Sequence, residues 1–215
     1  MKTINNIKKY GSVAIFAAVI MTGCSKDDDP VTPVVTPAVT APAEENELEV
    51  ITDVKLIFTN VSDMNDIVEA RAQDPDGVGV QELVILDNIS LDTNKTYTLT
   101  YEIFNNLESP GENIGDEISD EEDEHQFFYS FSNNAFTNPT GNGNIDNGSD
   151  PLDYNDMDGN GNAIGLSTTW MTSSSQLSGG TFTARLQHQP GVKTATSGAN
   201  DGDTDFELQF VLTIQ

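Results

Sequence analysis

The sequence predicts an all-β domain: an antiparallel, immunoglobulin-like β-sandwich of about seven to nine strands with one short acidic helix. Three observations predict it. Apolar and polar residues alternate with a period of two in several segments between residues 47 and 215, which is typical of strands that bury one face. Turn-forming Asp, Asn and Gly residues separate these segments. No amphipathic helices alternate with them, so a parallel α/β sheet is disfavoured.

The clearest strands place apolar side chains at every second position. They are residues 54–58, 97–103, 182–186 and 206–214. The one candidate helix runs from Glu112 to Glu124, where acidic residues are too dense to form a wide apolar stripe. Residues 137–150 form an Asn/Gly-rich loop, long enough to be either functional or disordered. Trp170 shares a face with Ile164 and Leu166 and is expected in the core rather than on a sugar-binding surface.

The first 23 residues have the order of an export signal. Lys2, Lys8 and Lys9 precede an apolar run that is too short to span a bilayer as a helix, and small residues follow it directly before Cys24. Met21-Thr22-Gly23-Cys24 resembles a bacterial lipobox, in which the signal is cleaved and the cysteine is acylated. Cys24 is the only cysteine, so no disulfide within the chain competes for it. We expect residues 1–23 to be a lipoprotein signal peptide and Cys24 to carry the membrane anchor.

Residues 24–46 are predicted to link the lipid to the domain of residues 47–215. The acidic run Ser25–Asp29 resembles the signal that sends lipoproteins of the Bacteroidota to the cell surface, although a solvated linker would have the same composition. Proline recurs every three to five residues in 30–43, which predicts an extended spacer about 40 Å long. The expected location is therefore the outer membrane, lipid-anchored and exposed at the cell surface.

The charge balance is strongly acidic. The formal net charge of −26, with 35 acids and nine bases, becomes −29 once the three lysines of residues 1–23 are removed. This charge argues against nucleic-acid partners and favours cations or basic partners. Acids that only keep a surface protein soluble are the simpler explanation, and they need no partner.

Several segments together resemble a family of Bacteroidota lipoproteins that genomes commonly label "type 1 periplasmic binding fold superfamily protein". The resemblance covers about residues 45–215 and lies in the segments 123–129, 154–160, 164–166, 186–190 and 213–215. It implies a partner role beside TonB-dependent outer-membrane receptors. The label also implies an α/β fold, which the period-two alternation contradicts.

The two histidines are the first candidate site. His125 is in register with the apolar face of Phe127, and His188 shares the face of Leu186, so both could approach one rim of the sandwich. With Glu121 or Glu124, they would suit a divalent metal of the zinc, copper or iron type. Two histidines satisfied by hydrogen bonds at the edge of the core are the alternative.

The second candidate site is a calcium loop. Asp156, Asp158, Asn160 and Asn162 match the start of the Asp-x-Asp-x-Asn-Gly pattern. Ser167 occupies the position of the expected bidentate glutamate, and Asp, Asn and Gly are also ordinary hairpin-turn residues.

No enzyme is predicted, because the sequence has neither a Gly-x-Ser-x-Gly elbow nor a phosphate-binding glycine loop after a strand. The sequence thus predicts a lipid-anchored accessory that binds a ligand or a metal, and the family resemblance implies that it serves a TonB-dependent transporter. A calcium-stabilised structural or adhesive surface module is the alternative.

Overall fold

The computed structural model describes residues 49–74, 76–77 and 82–215. The signal peptide, Cys24 and the spacer lie outside the described residues, so those assignments stay predictions. Among the residues described, no helix is both long and apolar enough to cross a bilayer. The elements in chain order are β1 (Asp53–Asn60), β2 (Ile67–Gln73), β3 (Val84–Ile85), β4 (Ile89–Leu91), β5 (Thr96–Asn105), β6 (Glu112–Asn113), α1 (Ile114–Asp120), β7 (His125–Phe131), β8 (Phe136–Asn138), β9 (Ser167–Thr172), β10 (Leu177–His188) and β11 (Asp203–Ile214).

Two sheets form the predicted sandwich. One has the strand order β3-β2-β1-β5-β9-β8, with β6 paired to β5, and the other has the order β4-β11-β10-β7. The pairs are antiparallel except for β4 with β11. The all-β sandwich is confirmed, and the α/β architecture implied by the family label is wrong. The described residues contain eleven strands rather than seven to nine, because four of them are only two or three residues long.

The core lies between the sheets and is built from the apolar faces that the alternation predicts. Burial is complete at Leu56, Phe58 and Leu99 in the first sheet and at Phe182 and Phe210 in the second. The ring centroids of Phe58 and Phe182 are 5.6 Å apart across the sandwich.

Trp170 is fully buried in the core, as predicted. The centroids of its ring and the Phe182 ring are 5.0 Å apart. The Trp170 indole donates to the Thr168 hydroxyl at 2.7 Å, which satisfies its one polar atom.

The acidic helix is shorter than predicted. It covers Ile114–Asp120 instead of 112–124, since Glu112 and Asn113 pair with β5. Its two buried residues, Ile114 and Ile118, are four positions apart and lie on one face. No third apolar residue continues this face, so α1 ends after seven residues and a turn of acids leads directly into His125.

Candidate metal centre

The two histidines are direct neighbours in the second sheet. His125 is the first residue of β7, His188 is the last of β10, and the antiparallel register pairs them with each other. Directly opposed residues of an antiparallel pair project to the same face. Both side chains therefore lie beyond the aromatic core at one end of the sandwich, and both residues are buried.

The imidazole rings are stacked. Their centroids are 4.5 Å apart and their planes are 3° from parallel. Ring-nitrogen lone pairs lie in the ring plane, so the lone pairs of two parallel rings do not converge on one point. An ion shared by both rings requires at least one imidazole to tilt, which the broad χ2 torsion of histidine permits.

The predicted acids stand beside this pair. Glu121, His125 and His188 each offer one ligand atom, and the three atoms lie within 4.8 Å of one another. Two ligands on one ion are separated by at most about 4.2 Å, given bonds of about 2.1 Å. Closing this gap takes side-chain movements of about 1 Å, and Glu121 is exposed and able to make them. The Glu124 carboxylate is 3.4 Å from the Nε2 atom of His188.

Both histidines have one nitrogen without a hydrogen-bond partner among the described residues: Nε2 of His125 and Nδ1 of His188. The second nitrogen of His125, Nδ1, is 3.3 Å from the main-chain oxygen of Glu121. An unsatisfied buried polar group costs about 1–3 kcal/mol. Among the described residues, the histidine pair is therefore not fully hydrogen-bonded.

Burial and a nearby imidazole change the acid–base state of His125. Desolvation, followed by the electrostatic effect of His188, lowers the pKa of His125 from 6.5 to about 4. At neutral pH the ring is therefore uncharged, which is the state in which an imidazole binds a metal.

Two further carboxylates, which the sequence did not place beside the histidines, face His125. The carboxylates of Glu49 and Asp205 each have an oxygen 3.9 Å from the Nε2 atom of His125. The Asp205 side chain is fully buried, and neither of its oxygens has a hydrogen-bond partner among the described residues. Burial, then the Glu49 charge, raises the pKa of Asp205 to about 7; the backbone N–H of Glu49, which faces the carboxylate without hydrogen-bonding geometry, partly offsets this.

A β-bulge explains why the alternation pattern does not predict the direction of the Asp205 side chain. Leu186 pairs with Phe206 and Gln187 pairs with Thr204, so Asp205 is one extra residue of β11 between two cross-strand pairs. Strict alternation would place it on the outer face with Glu207. Bulges redirect side chains in this way and are common beside functional sites. Glu49 precedes the first strand, where no periodic pattern could assign it a direction.

The predicted calcium loop is built differently from a cation site. Asp158 accepts hydrogen bonds from the backbone N–H groups of Asn160 and Asn162 and from the Asn162 side chain. The ammonium of Lys193 is 3.4 Å from the same carboxylate, and both side chains are fully buried. Asp156 accepts from the backbone of Gly165 and of Ser167. These contacts favour the hairpin-turn alternative over calcium, because a resident cation already balances Asp158.

No protein-family model, curated protein or solved structure matches this chain. The resemblance to the Bacteroidota lipoprotein family therefore stays a prediction.

Proposed function

We propose that this chain is a metal-binding surface lipoprotein that holds a divalent transition-metal ion through Glu121, His125 and His188. One observation carries the proposal: a buried cross-strand histidine pair and the Glu121 carboxylate offer three ligand atoms within 4.8 Å of one another, and Nδ1 of His188 has no hydrogen-bond partner among the described residues. Buried polar atoms without partners call for an explanation, and a bound ion is one that also fits the donor types.

The donor set selects the class of ion. Imidazole nitrogen with carboxylate oxygen suits zinc, copper, nickel or iron(II) rather than calcium or magnesium, which prefer oxygen alone. The acids also repel one another: burial and the charges of Glu117, Glu121 and Glu112 raise the pKa of Glu49 to about 7. A dication beside these carboxylates would replace repulsion by attraction.

The predicted lipid anchor and spacer support a role at the membrane surface. An anchored domain on a spacer of about 40 Å stays close to its membrane and binds as a tethered neighbour of other membrane proteins. We propose that the chain captures its ion outside the outer membrane as an accessory to a TonB-dependent transporter, without catalysing a reaction. The lipobox, the spacer and the resemblance to receptor-associated lipoproteins support this part.

Calorimetry and elemental analysis test the metal site. The full chain, purified in detergent and stripped with chelator, is titrated separately with Zn²⁺, Cu²⁺, Ni²⁺, Fe²⁺ and Ca²⁺. We expect tight Zn²⁺ binding and at least 10-fold weaker binding by His188→Ala and by Glu121→Gln. Asp120→Asn, an exposed neighbour one residue away, is the matched control and should bind as the unmodified chain does. Absence of binding by zinc, copper, nickel and iron(II) would refute the proposal.

Membrane attachment has its own test. Mass spectrometry of the chain from bacterial membranes should find acyl groups on Cys24 and no residues before it. Cys24→Ser should release the protein from the membrane fraction while its zinc affinity stays unchanged. An unmodified Cys24 behind an intact N-terminus would contradict the anchor.

A further inference from the structure

We propose that His125 bridges two metal ions, with a second ion held between its Nε2 atom and the carboxylates of Asp205 and Glu49. The inference rests on the proposed function, since the first ion occupies the site of Glu121, His125 and His188. It adds a second position and two ligands to that site.

The two edges of the His125 ring face different groups. Nδ1 lies 3.3 Å from the main-chain oxygen of Glu121, which places that edge beside the end of α1. Nε2 lies 3.9 Å from a carboxylate oxygen of Asp205 and 3.9 Å from one of Glu49. The Nδ1 edge of the imidazole therefore faces the end of α1, where Glu121 lies, and the Nε2 edge faces two carboxylates.

The 3.9 Å separations are too long for hydrogen bonds, which end near 3.2 Å for nitrogen and oxygen. They fit two ligands on one ion, which are about 3.4 Å apart in a tetrahedral site and at most about 4.2 Å apart. A direct ion pair is a poor alternative, because the His125 side chain is fully buried and charging a desolvated ring is unfavourable.

Burial separates this cluster from an ordinary group of surface acids. The side chains of His125 and Asp205 are fully buried, and that of Glu49 is 13% exposed. Nε2 of His125 and both oxygens of Asp205 have no hydrogen-bond partner among the described residues. Three unpartnered polar atoms thus point toward the same small volume.

Binding a second ion to the same imidazole requires the ring to lose one proton. A neutral imidazole has one lone pair for a metal and one N–H. An ion on the second nitrogen displaces that proton to solvent, and the ring becomes an imidazolate that bonds to both ions. With metal–nitrogen bonds of about 2 Å, the ions lie about 6 Å apart, and two Cu²⁺ ions at that distance are magnetically coupled through the ring.

The experiment uses Cu²⁺ as the probe, on the full chain in detergent, with equilibrium dialysis and electron paramagnetic resonance. We expect two bound ions. The signal should grow up to one equivalent and fall by more than half at two equivalents.

Two variants assign the ligands. Asp205→Asn and Glu49→Gln should each bind one ion, with a signal that no longer falls. Glu207→Gln, on the same strand but in an exposed ion pair with Arg185, is the matched control and should bind two.

The outcomes separate the two proposals. One bound ion in the unmodified chain, two in Asp205→Asn, or two ions with additive signals would overturn the bridge and leave the metal site of the proposed function intact. No bound ion would overturn both.

Discussion

Replacing Asp205 by asparagine should stabilise the metal-free protein at alkaline pH. The carboxylate is fully buried and lacks a hydrogen-bond partner among the described residues, so its ionised form is poorly solvated. Burial raises the pKa of Asp205 from 3.8 to about 7 in the folded state. Asparagine keeps the shape of the side chain and cannot ionise.

The raised pKa of Asp205 determines whether the folded state gains or loses stability as pH rises. A folded-state pKa above the unfolded value means that the folded state binds the proton more tightly, so this stabilisation is complete below about pH 4 and is lost as pH rises to 7. At ~1.4 kcal/mol for each pKa unit, the rise from 3.8 to about 7 corresponds to about 4 kcal/mol. Glu49 titrates near the same pH and is coupled to Asp205. We therefore expect Asp205→Asn to gain about 2–4 kcal/mol over the unmodified chain at pH 8.

Urea denaturation with chelator present measures this difference. The free energy of unfolding of Asp205→Asn should match that of the unmodified chain near pH 4 and exceed it at pH 8. Glu207→Gln should change by no more than about 1 kcal/mol at either pH, because exposed ion pairs contribute little. A variant that is equally or less stable than the unmodified chain at pH 8 would refute the account of Asp205 as an uncompensated buried carboxylate.

Three other predictions concern neighbouring groups. Lys193→Met should lower the free energy of unfolding in urea by about 3–5 kcal/mol, because it removes the counter-ion of the buried Asp158 carboxylate and the donor to the main-chain oxygens of Glu122 and His125; a loss below about 1 kcal/mol would contradict this. Adding Ca²⁺ in place of chelator should leave the thermal midpoint unchanged, since Lys193 already balances Asp158, and an increase of several degrees would restore the calcium alternative. In the metal-free chain, NMR should show the His125 ring titrating near pH 4. Because the unfolded chain binds this proton more tightly than the folded chain, the free energy of unfolding should decrease as pH falls from 6.5 to 4. A titration midpoint of the His125 ring at pH 6.5 or above would contradict its desolvation.

The sequence predicts those parts of the fold that repeat with a period of two. Strand β5 follows from the alternation of Tyr97, Leu99 and Ile103, whose buried faces the structure confirms. Strand β6 has only two residues, Glu112 and Asn113, and exists through its pairing with β5. Such a strand has no periodicity of its own, which is why these residues were assigned to the helix.

The candidate metal site also has one part that the sequence predicts and one part that it does not. His125 and His188 could be placed together because each ends an apolar face, and the register makes them direct partners. Asp205 could not be placed, because its direction depends on a bulge set by the pairing of β10 with β11. A sequence can indicate which face a strand buries. The direction of a bulge residue depends on how its strand pairs with the neighbouring strand, and the alternation within one strand does not contain that information.

Metal binding and stability should depend on the same buried groups. Without an ion, Asp205 destabilises the folded chain as pH rises, and its replacement removes that effect. With an ion on Nε2 of His125, the same carboxylate becomes a ligand, and an ion at 100 times its dissociation constant stabilises the folded state by about 2.7 kcal/mol. At pH 8 Asp205→Asn should therefore be the more stable protein in chelator, and its advantage should shrink by about 2.7 kcal/mol when metal is added at 100 times the dissociation constant of the second ion. A buried carboxylate that binds no ion would give the same difference in stability under both conditions.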